Sequence, residues 1–425
     1  MTIKVFEAFA GIGSQAMALR NIGLDFEVVG ISEVDRYGLI AYDAIHSNGE
    51  EVELKSKEDM LEEITKRNIA YNFSTGKSEI PKKEEEIRKL YEAHIRSKNY
   101  GDITKINPSE LPDFDLFTYS FPCKNISVAG KQAGLAEGSG TQSSLVWECR
   151  DIIKTKKPKY LLMENVKNLV GSKHKPFFDL WCEELEEMGY TNYWKVLNGK
   201  NFGVPQNRER VMMVSILNDD EQTYSLPTKS SRPSKCIADI MESSVDAKFY
   251  MDKEFEFTEK FYQGEVRSNE IVEVAKTDST YRDGARVCSI YGISPTIMTR
   301  DWKGAKKVLM EVAKLKSSGL RSNKAVYHEE GICPTLTSMN GGNRQPKIIT
   351  NDSIPSNIFT KDGYAIRKLT PLECWRIMGF SDEDYQKAKE SGLSSTKLYE
   401  RAGRGIVVPM LEEIFKELFK EELTK

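Results

Sequence analysis

Apolar runs recur along the first half of the chain, at Ile3 to Phe9, Val28 to Val34, Phe114 to Tyr119, Tyr160 to Met163 and Arg210 to Leu217, with helical patterns between them. Strands that alternate with helices predict an α/β fold, a doubly wound, Rossmann-like and mostly parallel sheet. Between the second and third runs lies a long charged stretch, Glu50 to Asn99, with helical patterns over Asp59 to Tyr71 and Pro81 to Ser97. It reads as an insertion at the edge of the sheet, its Lys and Glu runs as solvated helix faces. From Asn218 to Asp362 the alternation stops, and Pro, Gly, Ser and Thr punctuate short β-like pieces. A smaller, irregular, β-rich second domain is expected there. Helical patterns return at Pro371 to Met378 and Pro409 to Phe419, so the tail is expected to rejoin the first domain. The chain thus divides into residues 1–217, 218–362 and 363–425. Within the second part, Tyr291-Gly-Ile-Ser-Pro-Thr-Ile297 is echoed by Glu330-Gly-Ile-Cys-Pro-Thr-Leu336. Two copies read as similar β-turns, because a solenoid needs three or more.

Composition narrows the class without naming a partner. A length of 425 residues with 39% hydrophobic positions supports two or three domains with real cores. The chain enters a strand within three residues, carries no signal-peptide pattern and has no run of about 18 apolar residues, so a cytoplasmic protein without membrane contact is expected. Seven cysteines without a Cys-x-x-Cys pair, and only four histidines, argue against a disulfide framework and against a metal site. The net charge of −3 does not announce a nucleic-acid binder. Its distribution changes the picture, since acidic residues gather in Glu50 to Glu92 and Asp382 to Glu422 while Lys200 to Arg210 and Arg282 to Arg344 are basic, which permits a basic cleft.

Two constellations carry chemistry. Phe9-Ala10-Gly11-Ile12-Gly13-Ser14-Gln15-Ala16 follows the first strand and opens a helix, and Glu33 ends the next strand. Glycines let backbone approach a ligand, the helix N-terminus favours an anionic group, and the carboxylate accepts from ribose hydroxyls. The pattern fits a nicotinamide dinucleotide and S-adenosylmethionine equally, and Asp102 could then accept from the adenine amino group. The second constellation is Phe121-Pro122-Cys123. Asp113 to Ser120 reads as a buried strand, and Pro122 cannot continue a ladder, so Cys123 falls on a loop at the strand's carboxyl end, where open α/β sheets bind ligands. Glu164-Asn165-Val166 ends the following strand. A thiol and a carboxyl at the tops of two strands can share one base, which suggests chemistry on a cytosine ring. Cys149, Cys182, Cys236, Cys288, Cys333 and Cys374 lack such a setting.

At these residues the chain resembles the cytosine-C5 DNA methyltransferase family, with matches in the family's order over almost its whole length. Phe6 to Gly13 resembles the cofactor loop, Glu33 the ribose acid, Asp102 the adenine contact, Phe121-Pro122-Cys123 the nucleophile motif and Glu164-Asn165-Val166 the acid motif. Gln206 to Arg210, Arg367 to Cys374 and Gly403 to Leu411 resemble the later motifs. The resemblance implies a class I methyltransferase fold with a target-recognition domain at 218–362. It implies S-adenosyl-L-methionine bound by Phe9, Ala10, Gly11, Ile12, Gly13, Glu33, Val34, Asp102, Ile103, Pro122, Leu145, Gly405 and Ile406. It further implies a monomer that modifies double-stranded DNA, with a cognate restriction endonuclease, where one exists, acting separately.

The catalytic set it implies is Cys123, Glu164, Arg208 and Arg210. Cys123 would add to C6 and make C5 nucleophilic, its thiolate favoured by Arg208 or Lys124. Glu164 would act at N3 and the exocyclic amino group, and Arg210 would hold the base oxygen and orient Cys123. The target base must leave the duplex, at a cost on the order of a few kcal/mol. Ser127 to Ser144, with Gly130, Gly134, Gly138 and Gly140, has the composition of a lid over it. Two departures stand out. Lys124 replaces the family's usual glutamine, and Gly403-Arg404-Gly405 replaces its Gly-Asn-Ser; activity is still expected, with an altered cofactor site. The rival readings are a tRNA cytosine-C5 methyltransferase, a nicotinamide dehydrogenase that leaves Cys123, Glu164 and Gln206 to Arg210 without jobs, and a non-catalytic DNA-binding relative.

Overall fold

The computed structural model describes residues 2–72, 77–122, 145–219, 221, 224–250, 255–259, 269–277, 286–299, 306–311, 326–328, 347–349 and 364–424. Cys123, Lys124, the expected lid over Ser127 to Ser144 and the second copy of the repeated turn lie outside the described residues.

The first part of the chain runs β1 (Ile3–Ala8), α1 (Ser14–Asn21), β2 (Phe26–Ser32), α2 (Arg36–His46), α3 (Lys57–Lys66), the short hairpin β3 (Tyr71–Asn72) and β4 (Lys77–Ser78), α4 (Glu84–Arg96), β5 (Leu116–Tyr119), α5 (Val146–Lys156), β6 (Tyr160–Val166), α6 (Lys175–Glu187), β7 (Tyr190–Asn198) and β8 (Glu209–Leu217). Six of these strands form one sheet in the order β2-β1-β5-β6-β8-β7. Pairing is parallel from β2 through β6, and β8 runs antiparallel to both β6 and β7. The strands read as apolar runs because both faces of the sheet are covered. Val5, Leu116, Leu162, Met212 and Val214 point into one core, while Phe6, Phe117, Leu161, Met163, Val211 and Met213 point into the other. That split follows the alternation of side chains along a strand. Beyond β2 the sheet continues, among the described residues, as a single parallel bridge between Ile31 and Asn99.

The charged insertion is more than a solvated face. Met60, Ile64, Ile87, Leu90 and Tyr91 of α3 and α4 pack with Leu39 and Tyr42 of α2 into a core of their own. Arg96 clamps it with a two-pronged contact to Asp43, at 2.8 and 2.7 Å.

A second, five-stranded sheet has the order β15-β12-β11-β10-β9, built from β9 (Phe255–Phe257), β10 (Glu273–Thr277), β11 (Arg286–Ser289), β12 (Lys307–Glu311) and β15 (Tyr364–Lys368); β13 (Val326–His328) and β14 (Lys347–Ile349) pair separately. Its last strand comes from beyond residue 362, so a cut there would part the antiparallel neighbours β12 and β15. The repeated turn has a joining role in its first copy. Ser294 N donates to Pro205 O at 2.8 Å, Asn207 N to Ser294 O at 3.0 Å, and Thr296 Oγ1 to Asn207 O at 2.7 Å, which docks this turn on the segment before β8.

Helices α7 (Pro371–Met378), α8 (Asp382–Glu390), α9 (Ser395–Arg404), α10 (Val408–Leu418) and α11 (Lys420–Leu423) follow β15. Leu411, Ile414 and Phe415 of α10 share the core of Met17 and Ala18 in α1. Entry into α7 is fixed by a capping box in which Thr370 Oγ1 accepts from Glu373 N and the Glu373 carboxylate accepts from Thr370 N. The same carboxylate pairs with Arg367 at 2.8 and 2.6 Å, and both side chains are fully buried. No helix among the described residues is long and apolar enough to cross a membrane.

Candidate active site

A cleft of about 830 Å³ opens at the carboxyl ends of β1, β2, β5 and β6. One wall begins at the loop after β1. Phe9, Gly11 and Gly13 adopt left-handed backbone with φ of 57°, 60° and 74°, the conformation in which glycine carries no steric cost. A Cβ on Gly11 would meet open space, so the loop presents bare backbone to the cleft. Gly13 does not line the cleft. It sits behind the loop, where a Cβ would lie 2.3 Å from His46 Nε2 and 2.7 Å from Tyr42 Cε2. His46 Nε2 is 3.0 Å from Ile12 O, and burial pushes its imidazole down to about 4, so at neutral pH it is an uncharged donor.

The carboxylates beside the loop differ in environment. Glu7, fully buried beneath it, accepts from Ala16 N at 3.0 Å and from the Tyr42 hydroxyl at 2.6 Å, and burial pushes its carboxyl up to about 7. Glu33 accepts from Gly11 N at 2.7 Å and from Asp35 N at 2.6 Å. Burial, and then the neighbouring Asp35 charge, raise its pKa above the usual carboxylate range. Asp35 shows the opposite result. Burial raises it, but the guanidinium groups of Arg401 and Arg404 outweigh that and hold it well below the usual range. Asp102 accepts from Asn68 Nδ2 at 2.8 Å and from Thr104 N at 3.0 Å, which fixes its side chain at the cleft edge.

At the other end, Phe121 and Pro122 leave β5 and enter the cleft. Asn165 Nδ2 donates to Phe121 O at 3.0 Å and so fastens the residue two places before Cys123 to the top of β6. Glu164 stands opposite Met212 in the β6–β8 ladder, and Arg210 stands opposite Val166. Glu164 and Arg210 are therefore diagonal neighbours on one face, within reach for long side chains. Arg210 Nε lies 3.0 Å from Glu164 Oε1. Arg208 is buried; it donates to Ile297 O at 3.1 Å, Gly403 O at 3.2 Å and Gly405 O at 2.9 Å. It thereby braces the Gly403 to Ile406 wall, where Ile406 N donates to Ser14 Oγ at 3.1 Å, just after the loop.

Of the residues singled out from sequence, the cleft brings together Phe9, Ala10, Gly11, Ile12, Glu33, Val34, Asp102, Ile103, Pro122, Leu145, Glu164, Arg208, Arg210, Gly405 and Ile406. Sequence reasoning missed Asn68, Tyr71, Thr104, Thr299 and Arg401, which also line it. Only the polarity of Asn68 and Tyr71 at the end of the insertion's first helical pattern could have signalled the first two. The open backbone at Gly11, the acids Glu33 and Asp102, and a volume within the roughly 300–1,000 Å³ of ligand sites suit an adenosine carrying an anionic tail.

The family model for C-5 cytosine-specific DNA methylases matches residues 74–420. The chain belongs to this family. Its enzymes take their methyl group from S-adenosyl-L-methionine, and this methyltransferase is a DNA (cytosine-5-)-methyltransferase with that cofactor. It is 39% identical to the type II methyltransferase M2.ScrFI of Lactococcus lactis subsp. cremoris, covering 99% of this chain and 100% of the relative. It is 29% identical to the orphan methyltransferase M.SPRI of Bacillus phage SPR, covering 100% and 99%. Among solved structures its fold is similar to the S. pombe Dnmt2 methyltransferase, with a TM-score of 0.55, 16% identity and 99% of each chain covered. The class I methyltransferase fold expected from sequence is thus borne out.

Proposed function

We propose that the methyltransferase modifies C5 of a flipped-out cytosine within a specific sequence of double-stranded DNA, through a covalent bond from Cys123 to C6. The observation that carries this reading is the Glu164–Arg210 pair at 3.0 Å, in the same cleft as the Gly11 loop and Glu33. Phe9 to Ile12, Glu33, Val34, Asp102, Ile103, Pro122, Leu145, Gly405 and Ile406 hold the cofactor, and Gly13 supports the loop from behind. When bound, S-adenosyl-L-methionine supplies the electrophilic methyl group that C5 takes up.

The chain's own residues do the rest. Cys123 attacks as thiolate, favoured by the positive charge of Arg208, and its addition at C6 places the electron pair needed at C5. Asn165, by holding Phe121, restrains the segment that carries the nucleophile. Glu164 hydrogen-bonds the exocyclic amino group and N3, where charge develops as the sulfur adds. Arg210 holds Glu164 in place and donates to the base oxygen. Transfer of the C5 proton to water returns its electron pair to the ring and expels the Cys123 sulfur from C6 as thiolate, which restores the C5–C6 double bond. Flipping the base out of the stack makes room for this geometry. Residues 218–362 read the grooves through Arg, Lys, Asn and Thr side chains.

The likeness to a type II methyltransferase and to a phage orphan methyltransferase supports a modification enzyme of restriction or phage type. In this reading the enzyme is cytoplasmic and monomeric, and any cognate endonuclease acts separately. Transfer of a labelled methyl group from the cofactor to duplex DNA and to tRNA tests the substrate. Label in duplex DNA is expected, and label in tRNA alone would overturn the reading.

A further inference from the structure

The two walls of the cleft are tied together by one acid. Asp35 Oδ2 lies 2.6 Å from Arg404 Nη1, and Asp35 Oδ1 lies 3.0 Å from Arg401 Nη1. From its own side Asp35 caps α2, its Oδ1 accepting from Tyr37 N and Gly38 N at 3.0 Å each. A carboxylate facing a helix N-terminus and two guanidinium groups is strongly held. The contact continues into the ligand wall. Asp35 N donates to Glu33 Oε1 at 2.6 Å, and Glu33 Oε2 accepts from Gly11 N at 2.7 Å. Gly38 completes the fit, since a Cβ there would lie 3.0 Å from Arg401 Nη1 and 3.2 Å from Gly11 O. Movement of Arg404 is therefore communicated to the loop and to the ribose acid through two hydrogen bonds.

The two arginines are not equivalent. Both line the cleft, but Arg401 is almost wholly buried, whereas the Arg404 side chain keeps 27% of its surface exposed. Removing Arg404 leaves Asp35 still paired with Arg401, so the fold is expected to survive its loss. Position 404 is also where the chain departs from the Gly-Asn-Ser of the family it resembles. An asparagine carries no charge and cannot form the ion pair.

We propose that Arg404 is a positioning residue for the cofactor: its ion pair with Asp35 holds the Gly403 to Ile406 wall against Glu33 and Gly11, and so sets cofactor affinity by charge. The proposal rests on the cofactor occupying this cleft, and the two claims fail separately. The experiment is calorimetric titration of the full-length protein with S-adenosylhomocysteine, comparing native, Arg404→Ala, Arg404→Lys and Glu33→Ala, each checked for its unliganded melting temperature. Arg404→Ala is expected to weaken binding about tenfold or more, the equivalent of about 1.4 kcal/mol. Arg404→Lys, which keeps the charge, should recover most of that loss, with melting temperatures close to native. A dissociation constant for Arg404→Ala close to native, while Glu33→Ala loses binding, would overturn the clamp and leave the cleft standing. Native-like binding by both variants would overturn both claims. A melting temperature that falls with affinity and is not restored by lysine would show Arg404 to be structural only, and would also overturn the proposal.

Discussion

Arg210 and Glu164 meet across the β8–β6 ladder, with Nε 3.0 Å from Oε1, because antiparallel pairing sets them diagonally on one face of the sheet. Each therefore fixes the other at the end of the cleft that Phe121 and Pro122 enter. Glu164→Gln and Arg210→Ala should each lower kcat on duplex DNA by about 10² to 10³-fold, the usual loss when a preorganised polar partner of the transition state is removed. Cofactor affinity, read by calorimetry, should change little. A loss confined to cofactor binding would place the pair in the wrong role.

Glu7 makes stability depend on pH in a defined direction. Burial penalises the charged form and pushes its carboxyl up from the ordinary 4.5 to about 7 in the folded protein. The folded state therefore binds the extra proton, and stability is lost as pH rises from about 4.5 through 7. At 1.36 kcal/mol per pKa unit the full effect is about 3 kcal/mol. Glu7→Gln cannot ionise, yet its amide oxygen can still accept from Ala16 N. The unfolding free energy of Glu7→Gln relative to native, measured by urea titration, should grow between pH 5 and pH 8. A difference independent of pH would contradict the assignment.

Gly13→Ala tests the support behind the cofactor loop. Its Cβ would have to displace His46 Nε2 and Tyr42 Cε2, at 2.3 and 2.7 Å, from a backbone at φ 74° that favours glycine. Stability should fall by roughly 1–3 kcal/mol, and cofactor affinity should fall with it as His46 releases Ile12 O. Gly11→Ala has the same φ problem but open space for its Cβ, so it should disturb Tyr42 and His46 far less in NMR spectra.

Arg367 and Glu373 join the second sheet to α7. Glu373→Gln removes the charge that faces a fully buried guanidinium, and breaking such a pair costs about 3–5 kcal/mol. Chemical denaturation should show that loss even though the site lies outside the cleft. A loss below about 1 kcal/mol would mean that the buried pair contributes little.

The parts of the site that were legible in the sequence are those built from consecutive residues at strand ends. The Gly11 loop, Glu33, Pro122 and Glu164 all follow apolar runs, and strand ends are where an open sheet binds ligands. The parts that were not legible arise from chain segments far apart. Arg401 reaches Asp35 across 366 positions, and no local pattern marks it. Asn68 enters through an insertion whose charge runs read as surface, because its apolar residues, such as Ile64 and Leu90, are spaced on single helix faces. Strand β7 escaped because it is an edge strand, with Thr191, Asn192 and Lys195 between its apolar positions. At Gly13 a second demand for glycine, the tight packing of Tyr42 and His46, could not be read from the local pattern.

Bisulfite sequencing of DNA from cells expressing the native protein or Cys123→Ala tests the central claim most directly. The native protein should leave 5-methylcytosine at one recurring sequence, and Cys123→Ala should leave none. Unmethylated DNA from the native strain, or equal methylation by Cys123→Ala, would contradict cytosine-C5 methylation through Cys123.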